Sequence, residues 1–176
     1  MLEVKLLASG AKVPTIGHAG EDLGYDLFAL EDVTLNYGEV ALVRTGIAVH
    51  ASVMGIPQAK QDRMEIGESY VFEKTSLGLL ICDRSSMASK GVVTSGGVID
   101  AGYRGEIKVL LTLQRAEWEE APLGCVYKPC TKTYQIHAGD KIAQMVPVPV
   151  LTGEIFAVAD LSAASRGADG FGSTGI

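Results

Sequence analysis

The sequence predicts an all-β domain, and three observations support this fold class. The segments between turns are short and rich in Val, Ile, Leu and Thr, which are residues that strands favour. Glycine is abundant, with 21 residues in a chain of 176, against a usual share of about 7%. Hydrophobic residues make up 47% and charged residues 20%, so the chain is globular and suits a single domain with a buried core.

Strands follow one another along the first part of the chain. The second of them carries one acid, Asp26, and a buried acid is costly unless it is paired. We therefore expect Asp26 to have a structural partner, with a catalytic role as the alternative. His50 lies at the end of the last of these strands, where a structural role is favoured. The strands are predicted at residues 2–7, 24–29, 33–35, 39–43 and 46–50.

Residues 52–75 break this pattern because they are mixed in charge and contain Gly55, Pro57 and Gly67. They are predicted to form an extended loop or a hairpin inserted between two core strands, with residues 69–73 as its strand. The sequence assigns no role to this insertion.

A strand at residues 77–82 leads into a stretch that suits an anion site. Arg84 offers a planar guanidinium for a phosphate or a carboxylate. Ser85 or Ser86 can cap a short helix ending near Gly91, and the first amides of that helix would then face a phosphate. Taken alone, the stretch fits an ordinary capped helix with a surface arginine equally well.

Residues 97–107 read GVIDAGYRGEI and predict a β-hairpin. A short apolar strand ends in Asp100, residues 101–102 form a tight turn, and residues 107–113 form a long strand. Asp100 and Tyr103 would then lie on either side of the turn. A carboxylate beside an aromatic ring suits a general base in a nucleotide pocket, although a surface hairpin with an Asp in its turn is the simpler alternative.

The rest of the domain combines a second irregular segment, residues 114–131, with two more strands at residues 132–136 and 142–148. Pro147 and Pro149 predict that the last strand lies at an edge, contains a bulge or leaves the sheet. Gln144 is polar among apolar neighbours, so it needs either an internal hydrogen bond or a ligand.

Charge and composition exclude several classes of protein. The net charge of -6 argues against binding nucleic acid through phosphate neutralisation. The apolar runs are far shorter than a membrane span, and the first residues do not resemble a secretory signal. Three cysteines are an odd number, which excludes a complete disulfide framework and favours a cytoplasmic protein. The spacing of Cys125, Cys130 and His137 fits no zinc pattern.

The last residues, 165–175, are rich in glycine and cannot build a core. They suit a mobile flap whose backbone amides close on phosphates, with a disordered tail as the alternative.

Five segments, in this order, resemble the trimeric dUTPase family, and together they span nearly the whole chain. They are GYDLFA (24–29), DRSSMASKG (83–91), GVIDAGYRGEI (97–107), AGDKIAQMVPVPV (138–150) and RGADGFGSTG (166–175).

The resemblance implies a jelly-roll-like β-barrel with one short helix after the second segment and a flexible C-terminal arm. It divides the chain into a β domain, residues 1–160, and an arm, residues 161–176, which closes the active site. The domain would carry insertions at about 52–76 and 115–135. The resemblance also implies a homotrimer with active sites at subunit interfaces. The reaction would be hydrolysis of dUTP to dUMP and pyrophosphate with Mg²⁺, the metal being held by the triphosphate without protein ligands.

The resemblance also implies roles for individual residues. Asp100 would activate the water that attacks the α-phosphorus, and Tyr103 would pack on the deoxyribose. The backbone of residues 94–98, including Gly97 and Val98, would read the uracil edge, and Asp26 would support Arg84. The residues expected on the phosphate side are Arg84, Ser85, Ser86 and Gln144. The arm would contribute Arg166, Phe171, Gly172, Ser173 and Thr174, with Phe171 stacked over the uracil.

The sequence departs from the family pattern at a few positions. Asp83 and Ser86 stand where Pro-Arg-Ser-Gly is usual, so the Arg-Ser-Ser run resembles the related dCTP deaminases, and Ser95 replaces a common glycine. A dCTP deaminase, or a combined deaminase and dUTPase, is therefore one alternative. Its proton-shuttling Glu would align with Leu110, which cannot transfer protons. A regulatory binding module that uses the insertions is the non-enzyme alternative.

Overall fold

The computed structural model describes residues 1–54, 74–114, 133–151, 155–160 and 162. In this part the chain forms eleven strands and one short helix, which confirms the all-β prediction. The strands are β1 (Leu2–Leu6), β2 (Tyr25–Phe28), β3 (Val33–Asn36), β4 (Val40–Arg44), β5 (Ile47–Met54), β6 (Lys74–Cys82), β7 (Val92–Ser95), β8 (Val98–Ile99), β9 (Lys108–Leu113), β10 (Thr133–Ile136) and β11 (Lys141–Pro149); the helix is α1 (Ser85–Ala88).

The described strands form three antiparallel groups. The main sheet has the order β1-β5-β6-β11-β2, and β8 pairs with β6 at its side. A smaller sheet has the order β4-β9-β7, and β10 pairs with β3. Apart from β5 and β6, all of these neighbouring strands are non-consecutive in the chain, which is typical of jelly-roll-like β folds in which long connections cross between sheets.

The main and smaller sheets share one hydrophobic core. Leu27 on β2 and Met145 on β11 are fully buried together with Val43 on β4 and Leu111 on β9. In β3 and β4 the more buried residues alternate with exposed ones, as the two-residue period of a strand requires. Burial of each of these side chains contributes about 1.5–3 kcal/mol, so the two sheets hold each other in place.

Strand β11 is central to the main sheet and changes partners along its length. Residues 141–145 pair with β2, with an irregular register between Lys141 and Ala143, and residues 144–149 pair with β6. Pro147 and Pro149 therefore lie beyond the last pair with β2, where one side of β11 needs no amide donor. Of the three alternatives predicted from the two prolines, an edge position of the whole strand is wrong, because β11 lies between β6 and β2; the prolines lie where β11 has left its pairing with β2.

The hairpin predicted for residues 97–107 is wrong. A turn is present, because the Tyr103 amide donates to the Asp100 carbonyl over 3.0 Å. Strand β8, however, pairs with β6 in the main sheet, whereas β9 pairs with β4 and β7 in the smaller sheet. The turn thus connects two sheets. Turn residues can be identified in a sequence, but the partner of a two-residue strand depends on tertiary contacts.

Other differences from the predicted elements are local. Arg84 occupies the N-cap position of α1, and no side chain caps the helix, so the predicted cap by Ser85 or Ser86 is wrong. Strand β7 was not predicted as a strand of its own. His50 lies inside β5 rather than at a strand end, because β5 continues to Met54. The centre of the first insertion and most of the second lie outside the described residues. Among the described helices, none is long and apolar enough to cross a membrane.

Candidate active site

A network of charges surrounds Asp26 at the end of the main sheet. The Arg84 Nε donates to Asp26 Oδ1 over 2.8 Å, and Lys141 Nζ lies 2.8 Å from Asp26 Oδ2. Arg84 Nη1 also donates to Ser86 Oγ over 3.0 Å. Both oxygens of the acid are therefore engaged, and the guanidinium is held in one orientation. The partner expected for Asp26 is present.

The pKa of the Asp26 carboxyl lies below its ordinary value of 3.8. Burial acts to raise this pKa, but the hydrogen bonds and positive charges of Lys141 and Arg84 outweigh it. Asp26 is 7% exposed, so its charge is stabilised mainly by these two cations. The two cations keep Asp26 charged, and Asp26 in turn fixes the orientation of the Arg84 guanidinium.

Four predicted residues lie together next to this network. Gln144 pairs across the sheet with Asp26 on one side and Cys82 on the other, which places its side chain near the end of β6. Among the described residues, no hydrogen-bond partner is present for the side-chain amide of Gln144, so the donors of this side chain are available to a ligand. A cavity of about 260 Å³, hereafter the polar cleft, is lined by Arg84, Ser85, Ser86 and Gln144.

Residues 94–98, hereafter the 94–98 segment, cross from the smaller sheet to the main sheet. The Ile81 amide donates to the Gly97 carbonyl over 2.7 Å. The backbones approach so closely here that a side chain at Gly97 would collide with the Ile81 carbonyl oxygen. Val98 is 72% exposed. The segment is thus fixed at Gly97 and exposes the residues around it to solvent.

The other fixed point of this segment was missed in the sequence. Asp83 Oδ1 accepts hydrogen bonds from both the Thr94 amide and the Thr94 hydroxyl, at 2.6 and 2.7 Å. The only sequence signal was an acid at the position before Arg84, where the family pattern has proline.

The turn after β8 presents the next two predicted residues. Asp100 is exposed, and Tyr103 is 44% exposed. Arg104 Nη1 donates to the carbonyls of Ala101 and Tyr103 over 2.7 and 2.8 Å, and these bonds stabilise the turn. This role of Arg104 was not predicted from the sequence. The Tyr103 ring lies over Gly105, and a Cβ added at Gly105 would collide with the hydroxyl oxygen of Tyr103.

The predicted residues fall into two separate groups within one chain. The polar cleft lies at the Gln144–Cys82 end of the β6–β11 pair. Asp100 and Val98 line a second, mostly apolar cavity of about 380 Å³ at the Val148–Gly78 end. The two ends are four residues apart along β11, or about 13 Å, and the cavities share no lining residue. The five predicted arm residues lie outside the described part.

The described residues contain no group of three or more His, Cys, Asp or Glu side chains that could hold a metal ion. This part of the chain therefore offers no all-protein cage for a divalent cation. Mg²⁺ commonly binds through substrate phosphates with few protein ligands.

The chain is similar to curated proteins over almost its full length. It is 36% identical over 177 residues to the deoxyuridine 5'-triphosphate nucleotidohydrolase of Clostridium tetani, covering 99% of this chain and 96% of that protein. The protein of the same name from Paramecium bursaria Chlorella virus 1 is 33% identical over 177 residues, covering 99% of this chain and 98% of the viral one.

Solved structures and a family model agree with these relatives. The Staphylococcus bacteriophage 80alpha dUTPase, solved with dUpNHpp, is 30% identical with a TM-score of 0.71, covering 100% of this chain and 99% of that one. A mutant dUTPase from phage phi11 of S. aureus, which coordinates a structural Mg(II) ion, is 28% identical with a TM-score of 0.65, covering 93% of this chain and 99% of that one. The dUTPase family model matches residues 54–117 and 121–175, and the chain belongs to the dUTPase family.

Proposed function

We propose that this chain is a dUTP diphosphatase, which hydrolyses dUTP to dUMP and pyrophosphate. Membership of the dUTPase family supports the substrate and the reaction. The single observation that carries the proposal is the polar cleft, in which Asp26 orients the Arg84 guanidinium beside two serines and the side-chain amide of Gln144, which has no partner among the described residues.

The polar cleft is proposed to hold the triphosphate. Asp26 occupies the Nε donor of Arg84, and Ser86 Oγ and the Lys141 carbonyl accept from Nη1. Among the described residues this leaves the Nη2 donors for phosphate oxygens. Arginine suits this task because its planar donors match the oxygens of a phosphate. Ser85 and Gln144 add neutral donors that fix the phosphates without adding charge.

Asp100 is proposed as the general base. Its carboxylate is exposed at the turn and can hold a water molecule in line with the α-phosphorus. The water oxygen forms a bond to that phosphorus, its proton passes to the Asp100 carboxylate, and the bond from the phosphorus to the bridging oxygen breaks. Pyrophosphate leaves with the electron pair. Mg²⁺ bound by the triphosphate would supply charge neutralisation during this transfer.

The remaining contacts are proposed to select the base and the sugar. Tyr103 would cover the deoxyribose, so that a 2′-hydroxyl finds no room beside the ring. The backbone of the 94–98 segment, with Gly97 and Val98, would pair with the uracil edge, and its fixed position would leave no space for the methyl group of thymine. The arm residues Arg166, Phe171, Gly172, Ser173 and Thr174 would close over the bound nucleotide.

The active unit is proposed to be a homotrimer with shared sites. The separation of about 13 Å along β11 between the polar cleft and the cavity beside Asp100 supports this arrangement, because a water held by Asp100 must reach a phosphate held by Arg84. A neighbouring chain would bring the two groups together. We also propose that residues 1–160 form the domain and residues 161–176 the arm, and that the protein acts in the cytoplasm.

The first experiment measures pyrophosphate release with Mg²⁺ from dUTP, dCTP, dTTP and UTP in parallel, with the product bases identified. We expect rapid release from dUTP alone. Uracil formed from dCTP would instead support deamination, although Leu110 lies in β9 opposite Leu42 and Ser95 and carries no titratable group. No release from any substrate would overturn the proposed reaction and favour a binding module.

A further inference from the structure

The Asp83 carboxylate joins two parts of the site that belong to different sheets. Asp83 follows the end of β6 in the main sheet, whereas its partner Thr94 lies on β7 in the smaller sheet. One oxygen, Oδ1, accepts from both the Thr94 amide and hydroxyl. A carboxylate acceptor makes stronger hydrogen bonds than a neutral one, so this contact resists separation of the two sheets at their edge.

The same short stretch of chain is held firmly on its other side. Arg84, the next residue, is bound by Asp26 and donates to Ser86. The peptide between Asp83 and Arg84 is therefore attached to the polar cleft at one end and to β7 at the other. The backbone of residues 83–84 thus connects the polar cleft to Thr94.

Contacts from the β6 side hold the 94–98 segment at both ends, and Val98 also pairs with Leu80 on β6. Asp83 fastens its first residue, and Ile81 fastens Gly97 through a backbone hydrogen bond. Between them, Ser95 and Gly96 are exposed, and Gly96 has a positive φ of 61°. If Asp83 were absent, the segment would stay attached to β6 only at its end, Gly97 and Val98, and its first half would move with β7.

We infer that Asp83 is a positioning residue that couples the polar cleft to the 94–98 segment and sets the selectivity of the enzyme for uracil over thymine. The inference rests on the proposed function. Asp83 contacts no reacting atom; it fixes the width of the slot in which the base is read. In the proposed trimer, the two coupled parts of one chain belong to neighbouring active sites, so the contact also links those sites.

The test compares kcat and KM for dUTP and dTTP in variants of this contact. Asp83→Ala removes the acceptor, Asp83→Asn keeps a neutral oxygen at the same place, and Thr94→Val removes the hydroxyl but keeps the amide donor. Glu31→Ala, which replaces an exposed acid outside the site, is the matched control.

Asp83→Ala is expected to raise the KM for dUTP about tenfold and to lower the dUTP-to-dTTP ratio of kcat/KM about tenfold, because a charged hydrogen-bond pair is lost. The kcat for dUTP should change by less than about threefold, since the groups that act on the phosphorus stay in place. Asp83→Asn should restore most of the selectivity, Thr94→Val should fall between the two, and Glu31→Ala should match the wild type.

Unchanged selectivity in Asp83→Ala, with an active wild type, would overturn the inference alone. A fall in kcat that is equal for dUTP and dTTP, without a change in KM or recovery by Asp83→Asn, would also overturn it, because it indicates a general loss of structure. If Asp83→Ala fails to fold, the dUTP-to-dTTP ratios of kcat/KM of the other two variants decide. A lower ratio in Thr94→Val than in Asp83→Asn supports the inference, and the reverse order overturns it. No pyrophosphate release by the wild type would reject the proposed function itself, and the inference with it.

Discussion

Asp26 illustrates what can be predicted at the scale of single residues. An acid inside an apolar strand needs a partner, and that requirement is visible in the residues 24–29 alone. The identity of the partner is not, because Arg84 follows 58 residues later in the chain, and only the resemblance to a family connected the two. Asp83 shows the limit more clearly: its hydrogen bonds to Thr94 depend on which sheet each strand joins.

The lowered pKa of Asp26 predicts a pH dependence of stability. Because the folded-state pKa lies below the ordinary value of 3.8, the stabilisation is present above that value and is lost as the pH falls through the folded-state pKa. Asp26→Asn should therefore lower the free energy of unfolding by about 2 kcal/mol at pH 7, with a smaller difference near pH 3. Urea denaturation at both pH values measures this. A difference that stays constant with pH, or an equal effect of the exposed control Asp160→Asn, would contradict it.

Asp100→Asn separates binding from chemistry. The amide is close in size to the carboxylate but cannot accept the proton of water, so kcat should fall by about a thousandfold while dUTP affinity stays near that of the wild type. Pyrophosphate release and calorimetric titration measure the two quantities. Near-normal turnover would remove Asp100 from the role of base, and Asp160→Asn serves as the control.

Gly105 is expected to determine how Tyr103 meets the sugar. A Cβ in Gly105→Ala would displace the tyrosine ring, so the preference for dUTP over UTP should fall about tenfold, the loss that about 1.4 kcal/mol produces. Gly102→Ala is a matched control in the same turn, because nothing lies within 4 Å of the added Cβ. Equal substrate ratios in the two variants would show that the ring position does not control sugar selection.

At the scale of elements, the strands were predicted better than their pairing. The apolar runs of β6, β9 and β11 place these strands within a few residues of their observed bounds. Pairing depends on contacts between residues far apart in the sequence. For this reason β8 was predicted to form a hairpin with β9, whereas it pairs with β6. The close approach of Gly97 to Ile81 is the local feature that makes the observed pairing possible.

Gly97→Ala should therefore displace the 94–98 segment from β6. Because the added Cβ would collide with the Ile81 carbonyl oxygen, the backbone must move, and the KM for dUTP should rise about tenfold or more as the base contacts are lost. Steady-state kinetics with dUTP measures this, and Gly102→Ala again provides the comparison. A normal KM would show that the segment does not contact the base.

At the scale of the whole molecule, one chain carries the parts of a site but keeps them apart. Strand β6 connects the two parts of the site. The polar cleft follows its last residue, Cys82, and β8 pairs with it at Leu79 and Leu80. Sequence patterns describe a single chain, and nothing in their periodicity indicates how copies meet. The trimer is therefore predicted only through the resemblance to a family.

Mixing two inactive variants tests whether neighbouring chains complete each other's sites. Asp100→Asn lacks the base, and Arg84→Ala lacks the guanidinium of the polar cleft, so each homotrimer should be nearly inactive. If a site takes Arg84 from one chain and Asp100 from the next, random assembly of equal amounts leaves both groups intact in about one site in four, because each heterologous interface joins two independent chains. Co-expressed chains carrying different tags should then recover about a quarter of the wild-type rate of pyrophosphate release. Light scattering must show trimers, and purification on both tags in succession must show that they are mixed. Mixed trimers without recovered activity would mean that each chain builds its site alone.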